Sequence, residues 1–341
     1  MKPNVWVSIA ASTAFLWCGG CGDSGDKAEA PESVALDPVA IFGPALPDRF
    51  ESAENPTTPA KVDLGRMLYY DTRLSLANDV SCNTCHLLDQ YGVDSLPTSK
   101  GHEEQVGGRN APTVYNAAGH LAQFWDGRAK DVEEQAKGPI LNPIEMGMPS
   151  EEHVLGVLKG IDGYVKAFAE VFPGEADPVT YDNMARAIGC FERGLVTPSG
   201  FDRFLAGDKK ALTEAEHGGL ETFMKVGCAT CHIGPLVGGK MYQKVGLVNP
   251  WPNQEDVGRS AITGNEAEKM FFKVPSLLNI ARTGPYFHDG SVSHLDEAVR
   301  MMGHHQLGLD LTAEQEGQIL AFLNALTGSL PDEYIRKPEL P

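Results

Sequence analysis

Two five-residue stretches decide most of what this chain can be: Cys82-Asn83-Thr84-Cys85-His86 and Cys228-Ala229-Thr230-Cys231-His232, both of the form C-x-x-C-H. In that pattern two thiols bond the vinyl groups of a porphyrin and the adjacent histidine ligates its iron. One match can arise by chance. Two in one chain, each followed by a Gly-rich stretch, point to two covalently attached c-type haems. The rival reading is a pair of zinc or thiol-redox sites, but zinc wants four convergent ligands at each site, and here each histidine is locked to its own cysteine pair. Leu87 to Val114 and Gly234 to Pro275 are too long for connectors in a compact domain and read as loops wrapped around a prosthetic group.

The chain has 341 residues, enough for two domains of ordinary size. Residues 1–21 read as a signal peptide: Lys2 supplies a positive charge, Val5 to Trp17 is largely apolar, and small residues follow. Cys21, after Gly19 and Gly20, suits a lipid-modified cysteine at the cleavage site, although Cys18 stands where an aliphatic residue is usual; lipidation and simple cleavage both remain open. Residues 22–59 form an acidic, Pro-rich tether, with order expected from about Lys61. No later apolar run is long enough to span a bilayer. The formal net charge of -18 argues against nucleic acid as a partner, because a polyanion needs a basic surface to displace its counterions. Cys190, among Ala187, Ile188 and Phe191, reads as a buried inert thiol.

The periodicity is helical, with no series of alternating strands. Ser150 caps a helix expected to run to Phe172, and another covers Tyr181 to Leu195. Thr213 with Glu216, and Thr312 with Gln315, are capping boxes opening two more. A helix-like run from Leu295 to Met302 offers Met301 and Met302 as thioether ligands to the second iron; spacing alone does not choose between them.

With these features in place, the chain resembles the bacterial di-haem cytochrome c peroxidases from about Val62 to Gly328. The resemblance is carried by Leu64-Gly65-Arg66, Asp71-Thr72-Arg73-Leu74-Ser75, Gly92-Val93-Asp94 through Gly101-His102, and Arg109-Asn110-Ala111-Pro112-Thr113. It continues through Phe124-Trp125-Asp126-Gly127-Arg128, Asn142-Pro143-Ile144-Glu145-Met146-Gly147 and Pro285-Tyr286-Phe287-His288-Asp289-Gly290-Ser291. One departure is Tyr69-Tyr70, where phenylalanines are common. The resemblance implies an all-α fold of two cytochrome c-like domains, residues 60–195 and 196–330, each wrapping one haem, with a tail over 331–341.

It further implies that the first motif holds the peroxidatic haem, with His86 proximal and His102 a distal ligand that must leave before peroxide binds. Gly101, Gly107 and Gly108 would let that loop move. Gln135 and Glu145 would line the pocket so exposed. A carboxylate there can carry a proton between the two peroxide oxygens, and an amide can orient peroxide. Trp125 would lie on the electron path, His232 and Met302 would ligate the second iron, and Asn110, Thr283 and Pro285 would supply oxygens to a calcium ion. His120, His153, His217, His304 and His305 match no ligand position and read as surface or structural residues.

The expected activity is therefore reduction of hydrogen peroxide in the periplasm, with electrons from a small cytochrome c or copper protein. A homodimer is compatible with the sequence. Two alternatives stay open: a di-haem oxidase acting on a partner protein, whose relatives carry tyrosine where Met302 stands, and a non-catalytic electron carrier with both irons permanently six-coordinate.

Overall fold

Helices begin where the chain supplies caps. In the computed structural model, which describes residues 37–341, the Thr58 side chain accepts from Lys61 N–H and opens Pro59–Tyr70, with Pro59 at the first helical position. Both anticipated capping boxes form, opening Glu214–Lys225 and Ala313–Ala325. The helix expected from Ser150 to Phe172 is instead two, Glu151–Lys159 and Asp162–Val171, because the first ends at Gly160 and Ile161 is extended. Tyr181–Glu192 ends three residues before the expected Leu195. Leu295–Met301 continues as a π-helical turn over Met302–Leu307, closed by Gly308 at positive φ. Among the described residues the strands form a single two-stranded antiparallel ribbon, Tyr242–Lys244 with Phe271–Lys273. No described helix is long and apolar enough to cross a membrane.

Two hydrophobic cores result. The first runs in sequence from Val62 to Leu195 and includes Cys190, fully buried as expected. Its centre is the crossing of Pro59–Tyr70 over Tyr181–Glu192, where Gly65 faces the Ala187 carbonyl so closely that no side chain would fit. The second core repeats the device: Gly219 of Glu214–Lys225 lies against the Gln318 carbonyl and Phe322 of Ala313–Ala325. Phe322 is fully buried, with ring centroids 5.2 Å from both Phe201 and Phe223. Phe322→Ala is therefore expected to cost about 3–5 kcal/mol, read as a loss of thermal or denaturant stability.

The chain ends cross between these cores. Residues 37–59 are not a free tether. Asp37 caps Pro38–Phe42, Phe42 is buried against Phe201 at 5.3 Å, and Leu46 N–H donates to Asp202 at 3.0 Å. Polar composition hid this packing, which needs only one large apolar side chain. At the other end Tyr334 stacks on Phe191 with centroids 5.2 Å apart, and Tyr70 Oη–H donates to the Ile335 carbonyl at 2.6 Å. With each terminus packed against the more distant core, the described residues form one compact unit.

Asp71, at the end of Pro59–Tyr70, is fully buried and accepts from Arg73 at 2.6 Å and from Tyr164 Oη at 2.6 Å. Burial pushes its carboxyl up, but those bonds outweigh it and hold the pKa below the ordinary carboxylate value. The stabilisation is thus present in full above the unfolded carboxylate pKa of about 4 and is lost as pH falls through the lower native value. The gap in melting temperature between wild type and Asp71→Asn should be widest near neutrality and close on acidification.

Candidate functional site

The short helix Cys82–Cys85 aims the first motif into a cleft enclosing about 1380 Å³, counting its open mouth. Cys82, Cys85 and His86 form one part of its wall; Trp125, Gln135, Ile144, Glu145 and Asn110 form others. Segments more than 60 positions apart in sequence are thereby brought to a common space. His86 Nδ1 is buried with no hydrogen-bond partner among the described residues. Burial keeps this imidazole's pKa below its ordinary value, so it is neutral and able to ligate. Tyr69 Oη–H, donated to the His86 carbonyl at 3.0 Å, fixes the backbone behind it.

Gln135 comes from the first half of the helix Val132–Leu141, and Glu145 from the turn that follows. That helix carries Pro139 in its last turn and is capped at Asn142, and the chain folds back through Met146 N–H to the Pro139 carbonyl and Gly147 N–H to the Asn142 carbonyl. Glu145 Oε1 accepts from Asn142 Nδ2 at 2.9 Å. Burial raises its pKa, opposed by the nearby Arg128 and the Asn142 bond.

Trp125 belongs both to the cleft and to a second apolar cluster. Its Nε1–H donates to the Asn110 carbonyl at 2.9 Å, and its carbonyl accepts from Lys273 N–H at 2.7 Å. The ring packs on the cluster of Trp251, Met270 and Phe272, against which Met301 and Met302 also pack. Arg109 pins this segment by bridging Asp126 at 2.5 Å and Asp256 at 2.6 Å.

In the second motif, burial lowers the His232 pKa to about 4, and its Nδ1 lies 3.2 Å from the Val237 carbonyl. That contact suits an Nδ1–H donor and leaves Nε2 for a metal, the usual arrangement of a ligating histidine. Burial also pushes the Cys228 thiol to about 12, so it stays neutral. Both motifs therefore fit a covalently held haem: paired thiols and a neutral imidazole with a free nitrogen, the first of them set in the wall of the cleft.

His102 is the candidate that the structure keeps apart. It is absent from the cleft wall, although its neighbour Gly101 belongs to it, and its ring lies against Gly147 with Nδ1 buried and unpaired. Asn110, Thr283 and Pro285 do not form a carboxylate-rich centre, and no metal-type cluster of His, Cys, Asp and Glu occurs among the described residues. Asn110 reaches the segment after Pro285 through its N–H, donated to the His288 carbonyl at 2.8 Å. Cys18 and Cys21 lie outside the described residues.

Three cleft residues escaped the sequence reading. His120, taken for a surface or structural histidine, lines the cleft, and its Nδ1 pairs with Lys273 Nζ at 3.1 Å. Burial brings Lys273 down to about 7, and burial with Lys273 close by drives His120 well below its ordinary value. Glu192, 6% exposed, also faces the cleft, and burial with the Glu133 charge nearby lifts it to about 8. No local motif marks these three, because their signal lies in burial and long-range contact.

The fold and cleft define a helical protein with two C-x-x-C-H motifs whose residues fit haem. The family model for di-haem cytochrome c peroxidase matches residues 59–210. The cytochrome c551 peroxidase of Nitrosomonas europaea is 46% identical over 92% of this chain and 90% of its own length. That of Pseudomonas aeruginosa is 44% identical over 89% and 88%. Among solved structures, a MauG-like protein associated with microbial copper homeostasis superposes with a TM-score of 0.76 at 29% identity, covering 86% of this chain and 97% of that one. The chain belongs to the di-haem cytochrome c peroxidase family.

Proposed function

We propose that the chain reduces hydrogen peroxide to two waters at the first motif's cleft, taking two protons and two electrons, the electrons delivered by a small cytochrome c or copper protein. The observation that carries this reading is the placement of Glu145 and Gln135 on the same cleft wall as Cys82, Cys85 and His86. Cys82, Cys85 and His86 would hold haem there, and it would supply redox chemistry toward peroxide. Glu145 takes a proton from one peroxide oxygen and returns it to the other as the bond between them breaks, which avoids separating charge in a buried site. Gln135 orients peroxide by hydrogen bonding and leaves proton transfer to the carboxylate.

Trp125 is the connecting aromatic, since it belongs to the cleft and packs on the same cluster as the methionines. His232 and Met302 would hold the second haem's iron. Met301 has another role, packing on Tyr286, Val292 and Ala298. Asn110, Thr283 and Pro285 would bind calcium through amide and carbonyl oxygens, bracing the segment to which Trp125 donates. His102 would act as a gate, moving aside before peroxide enters the cleft. The protein works in the periplasm after export, with a lipid anchor at Cys21 and a homodimer both open to it.

Half-reduced holoprotein mixed with peroxide and a reduced small cytochrome should oxidise two donor molecules for each peroxide consumed. A carrier with permanently filled irons would oxidise none, and that result overturns the proposal.

A further inference from the structure

His102 packs on the turn that carries Glu145 and is not part of the cleft wall. Its ring rests on Gly147, where φ is +71° and an added Cβ would come within 2.8 Å of His102 Cδ2 and 2.9 Å of Cγ. Its N–H donates to the Glu145 carbonyl at 2.7 Å. Gly101 completes the fit from the other side: a Cβ there would lie 2.6 Å from the Glu145 carbonyl oxygen and 2.7 Å from Glu145 Cα. Gln105 Nε2 adds bonds to the His102 carbonyl at 3.1 Å and the Pro143 carbonyl at 3.4 Å. The turn that receives the ring is itself anchored, because Leu76 N–H donates to the Met146 carbonyl at 2.9 Å and Gly147 N–H to the Asn142 carbonyl at 2.9 Å.

We propose that Gly147 and the Glu145 carbonyl form the berth of displaced His102, so that the turn carrying the proton-transfer carboxylate also holds the gate open. The proposal rests on the gate reading above and deepens it. Only a residue without a side chain leaves room for an imidazole at 147 while adopting the left-handed conformation the turn needs. A berth that binds only the displaced histidine shifts the gate's equilibrium toward opening by as much as it favours that state. Gly147 is thus a positioning residue: it acts through His102 and touches no reacting atom. The three glycines flanking the gate also separate. Gly101 is part of the close contact, whereas a Cβ on Gly107 or Gly108 would meet nothing within 4 Å.

The test uses half-reduced holoprotein and reads the spin state of the first haem, with cyanide binding to the same iron as a second readout. Gly147→Ala should cut the high-spin fraction at least fivefold and slow cyanide binding in proportion, while Gly156→Ala, at an open helical position outside the cleft and the gate loop, matches wild type. His102→Ala should be high-spin even when fully oxidised, and adding Gly147→Ala to it should change nothing, because no ring remains to be berthed. Opening of Gly147→Ala to the wild-type extent would overturn the berth. So would a low-spin double variant, since the single variant's effect would then come from a distorted turn. A His102→Ala protein that stays low-spin would instead overturn the gate reading on which the berth rests.

Discussion

Glu145→Ala should lower the turnover of peroxide by about 10²–10⁴-fold, the range supplied by a well-placed acid-base group. The loss should fall on kcat with haem content and donor binding unchanged, because the thiols and imidazoles of both C-x-x-C-H motifs are left intact. Asn142→Ala should give a smaller loss, since Asn142 only steadies the carboxylate through its 2.9 Å bond. Gln135→Ala should act on peroxide positioning, raising KM more than it lowers kcat. Stopped-flow measurement of donor oxidation at saturating donor distinguishes the three. Equal rates for wild type and Glu145→Ala would remove this residue from its role.

Met302→Ala should lower the reduction potential of the second haem by on the order of 100 mV or more, because thioether ligation favours the ferrous state and axial ligands set haem potentials over a range of about 0.8 V. Met301→Ala should leave that potential close to wild type and cost stability instead, as befits a side chain packed on Tyr286, Val292 and Ala298. Spectroelectrochemical titration of the two variants separates them in one experiment. The same measurement reversed, with Met301→Ala losing the potential, would exchange the two assignments.

What could be read from sequence was the chemistry that local spacing fixes. Each C-x-x-C-H places two thiols and an imidazole on one short segment, and each capping box is complete within four residues. Resemblance then supplied Gln135, Glu145 and Trp125, which the fold brings to the first motif's cleft. What stayed hidden depends on distant contact. Phe42 lies in a short apolar run inside a Pro- and Ala-rich segment, and its place in the core appears only with Phe201 and Phe322 against it. Lys273 and His120 are 153 positions apart and become a pair only across the cleft. Gly147 reads as an ordinary turn glycine, and its role appears only with the His102 ring against it. The interruption at Gly160 was hidden for another reason: the apolar spacing continues across it, while the backbone does not.

The central claim is that the two irons differ, one held by His232 and Met302 and the other able to lose His102 from its outer face. The most direct measurement adds electrons one equivalent at a time to the purified holoprotein and follows the spin state of each haem. The account predicts two haems per chain, the first electron residing on the Met302 haem, and conversion of the still-ferric His86 haem from low spin to high spin. A single haem, or two irons that remain low-spin at every stage of the titration, would contradict it.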